Sequence, residues 1–200
     1  MKAYQQGTID YFCGVYAVIN AFRRAARDQK KLTYREGCAF YQHLIRFLLK
    51  KDLFQEVLCH GTSCDLLLDL LKKADRYTQK HFGLALEFQA PYAAENKPAL
   101  KIVKEIGTFL EQDHTAWIIR LNNQNLGDHW SVGTTVTQNG TVRLFDSYGC
   151  TRFDANKALW APPVKKADIT SDNPTGMPKP PKGKTLLLKE GQILIKTRPV

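Results

Sequence analysis

The sequence predicts an α+β protein in which an N-terminal helical lobe packs on a C-terminal antiparallel β-sheet. Three observations carry this. Apolar residues recur at helical spacing through the first third of the 200-residue chain, runs rich in strand formers take over from His129 onward, and Asn139-Gly140 lies between two of those runs. At 44% apolar content the chain can bury one good core, and it shows no internal repeat, so residues 1–200 read as a single domain.

Cys13 opens the first helix, about four turns long, on Val15, Val18, Ile19 and Phe22, with Arg23, Arg24 and Arg27 in and just after its last turns. A second helix is predicted from Thr33 to Lys51 on the stripe Phe40, Leu44, Phe47, Leu48, and a third from Ser63 to Tyr77 behind the caps Thr62-Ser63. Residues 1–80 thus form the helical lobe. The sheet lobe, 84–160, begins with a strand from Gly83 to Phe88, continues through a helix from Pro98 to Leu110, and adds a strand at 115–121. Residues 130–136 and 141–145 form a hairpin, where Asn-Gly supplies the two left-handed conformations of a type I′ turn. Residues 161–184 hold six of the nine prolines and read as an irregular surface segment. Residues 185–198 read as a second hairpin about Glu190-Gly191.

The net charge of +10 invites nucleic acid as a partner, yet residues 161–200 carry half of it, with eight Lys/Arg against three Asp/Glu. No basic-aromatic module accompanies the charge, which argues against nucleic acid and leaves an acidic protein partner as the electrostatic expectation. No apolar run approaches a membrane span, and the opening Met-Lys-Ala-Tyr-Gln-Gln has no signal-peptide core, so the expectation is a cytoplasmic chain beginning near Met1, or an effector delivered without a signal peptide. Five cysteines, an odd number, point to a reducing compartment. Cys59, His60 and Cys64 have no second ligand pair for zinc, and neither a metal nor another cofactor is expected.

Chemistry enters with Gln5-Gln6-Gly7-Thr8-Ile9-Asp10-Tyr11-Phe12-Cys13-Gly14. A cysteine in a helix is ordinarily a small buried hydrophobe. At a helix N-terminus, however, the dipole favours the nucleophilic thiolate, and Gly14 would let a substrate carbonyl come close to the backbone. Two further motifs change the balance: Asp128-His129-Trp130-Ser131-Val132-Gly133 and Leu144-Phe145-Asp146-Ser147-Tyr148-Gly149. His129 lies ten residues before Asn139 and Asp146 seven after it, so strand pairing across the turn brings them together. Asp146 could then fix the imidazole tautomer while the other ring nitrogen faces sulfur. Trp130 is expected to wall the imidazole, and Tyr148 to line the cleft by position. His43, His60 and His81 are weaker candidates for the base; His114 is the rival.

These motifs, in the order Cys, His, Asp, resemble the papain-like cysteine peptidases, above all the bacterial branch that includes the leader-peptide peptidase domains of bacteriocin exporters. The resemblance implies a thiol peptidase acting on a protein or peptide substrate. Cys13 would be the nucleophile, His129 the base and Asp146 its orienter. A glutamine before the cysteine, Gln6 or else Gln5, would complete the oxyanion hole with the Cys13 N–H. The family commonly carries asparagine at the position of Asp146, which implies that Asp146→Asn is milder than Asp146→Ala. The same machinery serves deamidases, acyltransferases and cell-wall amidase toxins. An inactive papain-like protein holding an acidic partner through the basic tail is the contrasting expectation.

Overall fold

The computed structural model describes residues 1–6, 11–162, 170, 173 and 176–200. Gly7, Thr8, Ile9 and Asp10, and most of the expected proline-rich loop, lie outside the described residues.

Four helices come first: α1 (Cys13–Ala25), α2 (Tyr34–Lys50), α3 (Phe54–His60) and α4 (Cys64–Phe82). The α1 helix is buried almost all round, as its apolar first half requires. A capping box starts α2: Thr33 accepts from the Glu36 N–H while the Glu36 carboxylate accepts from the Thr33 N–H. Ser63 caps α4, which runs one turn beyond the expected Tyr77 and ends at Gly83. The short α3 was not expected from the sequence; it buries only Val57 and has too little apolar periodicity to be visible.

The sheet contains β1 (Leu84–Gln89), β2 (Thr115–Asn123), β3 (Gly127–Val136), β4 (Thr141–Leu144), β5 (Arg152–Asp154), β6 (Ala158–Trp160) and β7 (Thr185–Pro199). Its order is β1-β7-β2-β3-β4-β5, antiparallel throughout, with β6 added to β7 in parallel. One face buries Ala116, Ile118, Trp130, Val132, Ile193 and Ile195 together with α1, α2 and α4. The other buries Trp117, Ile119, Leu121 and Leu194 beneath α5 (Ala99–Leu110). A strand covered on both faces has no polar alternation, and β2 is accordingly buried along nearly its whole length.

Two expectations about turns are corrected. Of the Asn139-Gly140 pair only Gly140 has positive φ, at 86°, and Gly140 N–H bonds the Thr137 carbonyl. This is a type I turn closed by a left-handed glycine, the three-residue loop alternative to type I′, and Asn139 instead bonds the Thr137 hydroxyl.

The second correction concerns the C-terminus, where residues 185–198 form no hairpin. They belong to one strand, β7, lying between β1 and β2. Its pairing with β2 shifts between Ile119↔Gln192 and Leu121↔Leu187, and the surplus residues around Glu190-Gly191 form a bulge. Gln192 is fully buried and stabilises this irregularity: its amide donates to the Leu188 and Arg120 carbonyls, and its oxygen accepts from Trp117 Nε1. The apolar tail is therefore occupied within the sheet and is not presented to a partner.

Deleting residues 161–200 should abolish folding. Leu186, Leu187, Leu188, Ile193, Leu194 and Ile195 are all buried, and at about 2 kcal/mol apiece their burial is comparable with the whole ~5–15 kcal/mol that separates folded from unfolded states. Circular dichroism and light scattering check this; a soluble, folded truncation would show that β7 is dispensable.

Candidate active site

The site is assembled from three parts of the chain: the start of α1, the β3–β4 pair with the turn that follows it, and the extended N-terminal residues. Cys13 is the first residue of α1. Phe12 offers no side-chain cap, and the first-turn amides favour negative charge at that end. The thiol points back toward the Tyr11 carbonyl, 3.8 Å away. Gly14 is needed for packing: a Cβ there would come within 2.6 Å of Thr62 Cβ and Oγ1. Its smallness thus serves helix contact with the α3–α4 connection, which differs from the expected role of admitting a substrate carbonyl.

His129 pairs with Leu121 near the beginning of β3. On the other side of β3, Gly133 pairs with Leu144 and the Phe145 N–H bonds the Val132 carbonyl at 2.7 Å, so the chain carries Asp146 to the level of Ser131. That diagonal offset lets Asp146 Oδ2 meet His129 Nε2 at 2.7 Å. Both residues are nearly inaccessible, 5% and 4% exposed. The second carboxylate oxygen is also committed, accepting the Tyr148 N–H at 2.7 Å and the Cys150 N–H at 3.2 Å. With Nε2 held by the carboxylate, Nδ1 is the nitrogen left for the thiol, and Cys13 is near enough to the ring to favour its charged form.

Gln6 lies beside this pair. Its N–H donates to the Ser147 carbonyl at 3.0 Å, and its side-chain oxygen accepts from the Ser147 hydroxyl at 3.4 Å. Gln5 directs its amide to the Asp146 and Ala3 carbonyls. Tyr4 fixes the segment on α1, its N–H donating to Asn20 Oδ1 and its carbonyl accepting from Asn20 Nδ2.

Trp130 is only 2% exposed and belongs to the helical-side core, where its indole N–H donates to the Thr62 carbonyl at 2.8 Å. It anchors the connection that packs on Gly14, and so has little surface to offer a substrate. Tyr148, by contrast, is 47% exposed, with its ring 6.1 Å from that of His129. Asp128 is held by Arg120 through two hydrogen bonds, at 3.0 and 2.7 Å, in a nearly buried pair. Because Arg120 also lies over the Trp130 ring, the residues on both sides of His129 are fixed. The rival His114 stands in the turn before β2, within electrostatic range of Asp28. That places it past the far end of α1, roughly 20 Å along the helix from Cys13. His43 and His81 pack against Tyr77 with tilted rings, and His60 ends α3.

Sequence reasoning missed Ser131, Ser147 and the Arg120–Asp128 pair. Ser131 is two residues from His129, hence on the same side of β3, and lies next to the Asp146 carboxylate. That period-two spacing was the available signal for it; the other two depend on contacts between distant segments.

Burial by itself lowers the His129 pKa, but the Asp146 hydrogen bond, with the nearby Cys13, outweighs it and raises the value to about 10. Burial raises that of Asp146, yet the hydrogen bond and charge of His129 bring it below the ordinary carboxylate range. The imidazolium therefore contributes stability fully below about pH 6.5, and that contribution is lost as pH rises through about 10. The carboxylate's contribution is present above about pH 4 and is lost as pH falls through its lowered value. If this pair works in catalysis, amide hydrolysis should show its alkaline limb near pH 10, and Asp146→Ala should bring that limb down. A pH–rate profile with a limb near pH 7 in the unaltered protein would contradict the pairing.

Among the described residues no group of three His, Cys, Asp or Glu is placed to hold a metal ion, and no helix is long and apolar enough to cross a membrane. A scan against protein-family models gives no match, and a search among curated proteins finds no relative.

Proposed function

We propose that this protein is a papain-like thiol hydrolase that cleaves a peptide or isopeptide bond with a Cys13–His129–Asp146 triad. The observation that carries the reading is the buried 2.7 Å bond from Asp146 to His129 Nε2, with the helix-initiating Cys13 acting on the same ring. In the reaction His129 takes the thiol proton, and the Cys13 sulfur attacks the carbonyl carbon to give a tetrahedral oxyanion. The Cys13 N–H and the Gln6 amide stabilise that oxygen. His129 then protonates the departing amine as the C–N bond breaks, leaving a thioester. Water, deprotonated by the same imidazole, hydrolyses the thioester and returns the proton to sulfur.

Ser147, next to Asp146, donates its hydroxyl to the Gln6 side-chain oxygen, and this contact beside the His129 partner supports Gln6 for the role. No disulfide joins the five cysteines. Iodoacetamide labelling followed by peptide mapping tests the reading: Cys13 should alkylate far faster than Cys38, Cys59, Cys64 or Cys150. Burial pushes the Cys64 and Cys150 thiols up, which slows them further. Uniform labelling of all five, or preferential labelling of another, would count against it.

A further inference from the structure

Beside the triad, a groove of about 410 Å³ runs between the N-terminal segment, α1 and α2. Four tyrosines, Tyr4, Tyr16, Tyr34 and Tyr41, line it with Gln5 and Cys38, and among the described residues no charged side chain does. Two of its residues lie near the triad. Tyr16 is three residues along α1 from Cys13, hence one turn away on the same side of the helix. Gln5 is hydrogen-bonded to the carbonyl of Asp146.

The groove is preformed. Tyr4 is pinned to Asn20 through its backbone, its hydroxyl donates to the Thr33 carbonyl at 3.2 Å, and Arg23 stacks on its ring at 3.8 Å. Gly37 accommodates that hydroxyl, since a Cβ at residue 37 would collide with it. Tyr16 and Tyr41 support one another at 5.3 Å between ring centres, and Tyr34 remains 79% exposed at the edge.

We infer that this groove binds the polypeptide substrate next to the scissile bond and selects a neutral, aromatic side chain there. The inference rests on the hydrolase reading and adds the class of residue recognised. On a chain of net charge +10, the described lining of this groove itself carries no charge to single out an anionic side chain. What the lining offers instead is aromatic faces with hydroxyls and an amide, an amphipathic surface that pairs with another aromatic ring through offset or edge contacts and loses little side-chain entropy on binding. The volume accommodates a large ring with part of its flanking backbone.

The test is a library of internally quenched peptides, turned over by the unaltered protein and by two variants, Cys38→Trp, which fills the groove, and Tyr34→Ala, which opens its edge. Peptides with Phe, Tyr or Trp at one fixed distance from the cleaved bond should be preferred about tenfold or more over those with Asp or Glu there. Cys38→Trp should lower kcat/KM for the preferred peptides about tenfold, mainly through KM, and Tyr34→Ala should do so by a smaller factor. Cys13 alkylation by iodoacetamide should stay within about twofold in both variants, which shows that the variants fold with the site intact. Cys13-dependent cleavage without aromatic preference, or with a preference that Cys38→Trp leaves unchanged, overturns the groove's role while the hydrolase reading stands. Absence of Cys13-dependent cleavage of every peptide overturns the hydrolase reading, and the groove's role with it.

Discussion

On the proposed hydrolase reading, Cys13→Ala is expected to reduce amide hydrolysis to background, a loss on the order of 10⁴-fold or more in kcat, because the acyl group would be carried on the Cys13 sulfur. The fold should survive. Alanine is at least as good a helix former as cysteine, and the substitution removes a single buried sulfur at the end of the core cluster, so destabilisation of about 1 kcal/mol is the expected ceiling. Thermal melting beside steady-state kinetics separates the two effects. Residual turnover at the original rate would move the nucleophile elsewhere. A variant that failed to fold would instead give Cys13 the role of an ordinary core residue.

Asp146→Asn is expected to be as damaging as Asp146→Ala, about a hundredfold or more in kcat. Resemblance to asparagine-bearing peptidases implies the reverse, and the local geometry decides between them. Oδ2 accepts from His129 Nε2, while Oδ1 accepts from two backbone N–H groups, those of Tyr148 and Cys150. An asparagine has one oxygen for these two sides. If the oxygen serves the backbone donors, its NH₂ confronts Nε2 and forces the ring proton onto Nδ1, the nitrogen that must receive the thiol proton. If it serves the ring, the NH₂ meets two donors and the turn is left with buried unsatisfied groups. Both arrangements also remove the charge that helps keep His129 protonated. Near-normal turnover in Asp146→Asn, with the imidazole still titrating near pH 10 by NMR, would show that the turn can rearrange around the amide.

The elements that the sequence determined by itself are those held by short-range chemistry. Period 3.6 in α1, α2 and α4, the Thr33/Glu36 capping box, and the strand character of residues 115–121 each require only neighbours in the chain. His129 and Asp146 were legible as a pair for the same reason: a single short turn sets the register of β3 and β4, and that register carries the two side chains to one level even though the turn is type I and not type I′. Gln6 and Cys13 were legible only through their motif.

Tertiary structure alone decided the rest. Leu-Leu-Leu-Lys-Glu-Gly-Gln-Ile-Leu-Ile has the local form of a hairpin, and nothing within it reveals that Gln192 will satisfy the carbonyls of a bulge or that β1 and β2 wait on either side. Trp130 and Gly14 look like cleft residues from their neighbours His129 and Cys13, yet both pack on Thr62, more than forty residues distant in sequence from either. The physical reason is common to all three. Hydrogen-bond partners and steric neighbours supplied by remote segments fix the final role of a side chain, and local propensity carries no record of them.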